Sequence, residues 1–79
     1  MKIQILGGGC QKCHLLADRT AEALQRLNRE AEIESVTDFA QIAAMGVLST
    51  PAIAIDGKVL HSGRVLGVEE VMKLVQDAG

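Results

Sequence analysis

The first dozen residues constrain this chain most. Residues 2–6 (K-I-Q-I-L) alternate in polarity and are rich in β-branched side chains, which predicts a strand. Gly7-Gly8-Gly9 then breaks the pattern. Three glycines allow a sharp turn and bring the following residue to the surface. Beyond them the period changes to that of a helix. Cys13, Leu16, Ala17, Thr20, Ala21, Leu24 and Leu27 mark one buried stripe of a helix from Cys10 or Gln11 to Asn28. Asp18, Glu22, Arg26 and Arg29 lie on another face and read as solvated, with Glu22 and Arg26 as an i, i+4 pair.

A strand, a turn and an amphipathic helix call for a second, parallel strand after a right-handed crossover. Ala31 to Val36 supplies it. Asp38 then reads as an N-cap, with Gln41 completing a capping-box-like pair. A short helix runs from Phe39 to Met45 and Gly46 suits its C-terminal cap. Ala52 to Ile55 is a short apolar strand, and Asp56-Gly57 is a strong hairpin signal leading into Lys58 to His61. Val68, Val71, Met72 and Val75 mark the inner face of a last helix, Val68 to Ala78. The expected order is β-α-β-α-β-β-α: an α/β domain over residues 1–79, with three helices on a four-stranded mixed sheet.

Composition supports a folded core. Of the 79 residues 48% are hydrophobic and Phe39 is the only aromatic, so the core must be aliphatic. A net charge of -2 gives no field for nucleic acid or anionic lipid. No apolar stretch approaches the ~20 residues of a membrane span. The N-terminal residues show no secretory pattern, so the expectation is a cytoplasmic protein. Two close cysteines in that setting point to redox catalysis or metal binding rather than to a structural staple.

Cys10 follows the glycine turn and opens the first helix, where unsatisfied backbone N–H groups and the helix dipole favour a thiolate. Lys12 adds a cation. Cys10 is therefore the expected exposed nucleophile. Cys13, one turn on and in the buried stripe, is the expected resolving thiol. Side chains at i and i+3 are neighbours, so a disulfide can form between them. Cys10 to His14 also spells C-x-x-C-H, the c-type haem attachment pattern, but the strands around it argue against that host. His14 reads as a helix-surface residue and His61 as an ordinary strand residue.

Taken together, these segments resemble the thioredoxin fold in its short, glutaredoxin-sized form, and most of all the small redox-active disulfide proteins. Cys10-Gln11-Lys12-Cys13 sits at the strand-to-helix junction. Gly46-Val47-Leu48-Ser49-Thr50-Pro51-Ala52-Ile53 is similar to the family's G-[IV]-x-x-x-P-[TA]-[LIV] segment, and Asp56-Gly57-Lys58-Val59 to its hairpin. Gly63 and Gly67 are similar to the glycines before its last helix. The resemblance implies a thiol–disulfide oxidoreductase whose redox group is the Cys10–Cys13 pair, with no other cofactor. It implies a cis Thr50-Pro51 bond, Pro51 packed on the pair, and Thr50 offering its backbone to a substrate chain.

It also implies disulfide-containing protein or small-molecule substrates and an upstream reductase of the flavin-dependent kind. Gly9 stands where thioredoxins carry Trp, so the expected aromatic contact surface is missing. No acidic residue precedes Cys10, so the buried carboxylate of thioredoxins has no counterpart in the first strand. With few exposed apolar groups expected, the chain reads as a monomer. The alternative is a soft-metal, copper-type binding or transfer module using the same two cysteines. Such domains run β-α-β-β-α-β and end in a strand, whereas this chain is expected to end in a helix.

Overall fold

The computed structural model describes residues 1–8 and 11–78. The elements are β1 (Lys2–Leu6), α1 (Gln11–Arg26), β2 (Glu32–Val36), α2 (Phe39–Ala44), β3 (Ala52–Ile55), β4 (Lys58–Ser62) and α3 (Val68–Ala78). The sheet order is β2-β1-β3-β4. β1 and β2 are parallel, while the β1–β3 and β3–β4 pairs are antiparallel. This is the expected mixed sheet and the thioredoxin-like α/β order.

Period-2 alternation divides the core between the two faces of the sheet. Ile3, Ile5, Ile53 and Ile55 pack with Leu16 and Leu24 of α1 and with Val71 and Val75 of α3. Leu6, Val36 and Ala52 pack with Ile42 of α2 and with Val47 behind it. All four residues of β3 are buried because helices cover both of its faces.

Several boundaries differ from expectation, each for a local reason. α1 ends at Arg26, not Asn28. Asn28 adopts φ 53°, and the N–H groups of Arg29 and Asn28 donate to the carbonyls of Leu24 (3.0 Å) and Gln25 (3.1 Å). This is a Schellman termination with asparagine in the left-handed position. The buried α1 stripe contains Ala23 and leaves Ala21 exposed. At 100° per residue Ala23 lies closer to the line through Leu16 and Thr20 than Ala21 does. Arg29 is not fully solvated, because its guanidinium donates to the Val75 carbonyl at 3.4 Å. Glu22 and Arg26 pair at 2.7 Å as expected.

Asp38 caps α2 by accepting the Ala40 N–H at 2.9 Å. α2 stops at Ala44 with Met45 as C-cap, and Gly46 at φ 81° closes a second Schellman motif, Val47 N–H to Ile42 carbonyl. β2 starts at Glu32, one residue later than expected, and β4 runs on to Ser62. In the hairpin, Asp56 and Gly57 take φ 50° and 85°, as a two-residue type I′ turn requires. A bulge opposite Ile53/Ala54 makes Leu60 the extra residue of β4.

Register gathers the connections at one end of the sheet. Leu6, the last residue of β1, pairs with Val36 on one side and Ala52 on the other. Gly7 extends β1 by donating its N–H to the Val36 carbonyl at 2.9 Å. Residues 7–8, 37–39 and 48–51 therefore meet at this end.

Candidate functional site

Cys13 lies in the first turn of α1 and is 6% exposed. Its sulfur rests against Gly7: a Cβ built on Gly7 would stand 2.1 Å from Cys13 Sγ. Only glycine lets the thiol sit there. The same point lies 3.7 Å from Thr50 Cβ, so α1, the end of β1 and the loop before β3 converge on one thiol. The Thr50-Pro51 peptide is cis. Thr50 is exposed, Pro51 is buried, and the Pro51 carbonyl accepts the Gly63 N–H at 3.1 Å. The Gly63 contact ties the loop before α3 to the same corner.

Among the expected site residues, Cys13, Thr50 and Pro51 thus come together. Cys10 and Gly9 lie outside the described residues. Lys12 and His14 are exposed on α1, whose first turn carries no acidic residue. Among the described residues the one buried polar side chain is Thr20, whose hydroxyl donates to the Leu16 carbonyl at 2.7 Å. No described carboxylate is buried beside the thiol.

Two apolar side chains at this end escaped the sequence reading. Phe39 opens α2 and is 68% exposed, and Leu48 in the loop before Thr50 is 97% exposed. The Phe39 ring lies over Gly8, where an added Cβ would come 2.8 Å from Cζ. Phe39 thus places an aromatic ring beside Gly8, while Gly9, where the aromatic contact was expected to be missing, lies outside the described residues. A lone aromatic three residues past a strand was the available signal, but its contact with Gly8 has no sequence signature.

The electrostatic features lie elsewhere. Lys2 and Glu34 pair at 2.8 Å at the far end of β1, about 16 Å from Gly7 at the usual rise per residue. The Lys2 hydrogen bond, with a second from Gln4, holds the Glu34 carboxyl below its usual range. Arg64, with the Gly67 N–H, does the same for Glu70. A hollow of about 440 Å³ between β4 and α3 is lined by His61, Arg64, Glu70 and Lys73 among others. His61 Nε2 is shielded there without a partner among the described residues. The hollow mixes opposite charges, and Cys13 lies instead at the Gly7–Thr50 corner. Among the described residues no three His, Cys, Asp or Glu gather to hold a metal ion. No described helix is long and apolar enough to cross a membrane.

A C-x-x-C cysteine buried at the first β-α junction, beside a cis-prolyl loop at one end of a mixed four-stranded sheet, defines a thioredoxin-fold protein. The thioredoxin domain family matches residues 1–76. The chain is 39% identical over 75 residues to a thioredoxin of Methanothermobacter thermautotrophicus, covering 95% of this chain and 97% of that protein. It is 38% identical over 69 residues to a thioredoxin of Methanocaldococcus jannaschii, covering 87% of this chain and 79% of that one. The chain belongs to the thioredoxin domain family, whose activity at family level is thiol–disulfide oxidoreduction.

Proposed function

We propose that the chain is a two-electron thiol–disulfide oxidoreductase working through Cys10 and Cys13. The Cys10 thiolate attacks one sulfur of a substrate disulfide and expels the other as thiolate, leaving a mixed disulfide. Cys13 then attacks the Cys10 sulfur and releases the second substrate thiol. Two electrons and two protons have passed to the substrate, and the pair is left as a disulfide. An upstream dithiol reductase restores it. The redox group is the pair itself, with no further cofactor. Lys12 favours the thiolate form of Cys10 electrostatically. Thr50 presents its backbone to a disulfide-bearing protein or small molecule, and Pro51 packs against the pair. A reducing compartment such as the cytoplasm suits this dithiol.

The observation that carries the reading is the seat of Cys13. Its sulfur is buried against Gly7, and Cys10 stands three residues before it in the sequence. That combination protects a resolving thiol until its neighbour has reacted. The test is trapping on a protein disulfide such as insulin. Cys13→Ser should accumulate a mixed disulfide through Cys10, and Cys10→Ser should accumulate none. Equal trapping by both variants would reject these roles.

A further inference from the structure

The sheet ends at β4, and α3 leaves the hollow of about 440 Å³ against it. That volume lies in the range of small-molecule sites. Two sequence periods build it. His61 is the register partner of Ile53, whose side chain packs with α1 and α3, so the imidazole points to the same side of the sheet. Glu70, Lys73, Leu74 and Asp77 fall at i, i+3, i+4 and i+7 and share one face of α3, beside the Val71 and Val75 stripe that enters the core. The polar groups of this lining differ in how far they are engaged. Arg64 donates to both oxygens of Glu70, and the Gly67 N–H donates to Oε1 at 3.3 Å, so that carboxylate is neutralised. Asp77 stands two helical turns further on, where it also lines the next hollow toward the hairpin. Lys73 makes no ion pair among the described residues, and His61 Nε2 is shielded without a partner. A buried polar atom without a partner is uncommon in a native fold. Two nitrogen-bearing side chains with no protein partner thus stand over the apolar Leu66 and Leu74.

We propose that this hollow binds a small amphiphilic anion: Lys73 and His61 hold its carboxylate or phosphate headgroup, and Leu66 and Leu74 carry its short apolar body. The imidazole turns about its Cβ–Cγ bond to present Nε2–H, and a nitrogen without a partner gains a charge-assisted hydrogen bond. Asp77 repels the headgroup from the far end, which fixes the direction in which the ligand lies. Inorganic phosphate would leave the leucines uncovered. An uncharged alcohol would leave Lys73 unmatched. No lining residue belongs to the Gly7–Cys13–Thr50 corner, so the site stands apart from the redox pair and does not depend on its chemistry.

The test titrates the reduced, isotope-labelled chain with hexanoate, hexyl phosphate, inorganic phosphate and hexanol, and reads the side-chain nitrogen resonances of His61 and Lys73. Hexanoate or hexyl phosphate should give saturable shifts at both residues, the tighter of the two telling which headgroup the site prefers. Inorganic phosphate and hexanol should not saturate. Lys73→Gln should weaken binding about tenfold, the size of one lost charge-assisted hydrogen bond, and Lys73→Arg should retain it. His61→Phe keeps a ring without nitrogens and should weaken binding by a similar factor. Lys73 is exposed, so Lys73→Gln keeps the test decisive even if His61→Phe fails to fold. No saturable response to either amphiphile, an equal response to hexanol or inorganic phosphate, or undiminished binding by Lys73→Gln would overturn the inference.

Discussion

Replacing Gly7 by alanine should destabilise the protein through a single sulfur atom. The new methyl group would arrive 2.1 Å from Cys13 Sγ, well inside contact distance, while Cys13 Cβ at 3.4 Å and Thr50 Cβ at 3.7 Å are tolerable neighbours. Gly7 is not among the residues of positive φ, so alanine fits the backbone. Cys13 is buried, at 6% exposure. Overpacking of this kind costs about 2 kcal/mol. In a domain of this size that lowers the melting temperature by roughly 8–16 °C. The clash disappears if the sulfur does. In a Cys13→Ala background the same change should be neutral, or slightly stabilising through reduced unfolded-chain entropy. The assay is urea unfolding of the four members of the cycle under reducing conditions, read as midpoint shifts at constant slope. A coupling of about 2 kcal/mol is expected. An undiminished cost of Gly7→Ala without the thiol would refute the seating of Cys13 on Gly7.

Other predictions follow from single contacts. Gly46→Ala meets no atom within 4 Å but must hold φ 81°, so it should cost about 1 kcal/mol by backbone strain alone; an unchanged urea midpoint would contradict this. Glu34 and Glu70 are held below the ordinary 4.5, first by hydrogen bonds from Lys2 and Arg64 respectively. Their contribution is present above that value and lost as pH falls through the lower folded values. Lys2 is raised above 10.5 by its hydrogen bond to Glu34, so its share is present below 10.5 and lost as pH rises through the folded value. Lys2→Met and Arg64→Met should therefore each flatten the acid limb of the stability profile, and identical limbs in wild type and variants would count against both pairings.

The order of elements was legible because each segment carries its own period and its own punctuation. The alternation of residues 2–6, the Asp56-Gly57 turn and the Asp38 cap act locally, and the structure keeps them all. Periodicity carries α1 on to Asn28 because it does not reveal which residue turns left-handed. The three glycines read as a turn, yet Gly7 also admits the Cys13 sulfur from the first turn of α1 and Gly8 admits the Phe39 ring from α2. Nothing in the local pattern marks such close approaches, since they are set by sheet register. The same holds for Phe39, which a sequence reading treats only as the start of a helix. Cys13 was legible because its burial follows from the stripe it shares with Leu16 and Thr20.

The central claim is that Cys10 and Cys13 form one two-electron couple. Equilibration of the chain with glutathione redox buffers, quenched and read by intact mass, tests it most directly. The account predicts a single transition from dithiol to an intramolecular disulfide, with the loss of two hydrogens and a slope of about 30 mV per tenfold change. Both Cys10→Ser and Cys13→Ser should abolish it. Separate glutathione adducts on the two cysteines with no intramolecular disulfide, or a pair that stays reduced while binding one equivalent of Cu(I), would contradict the account.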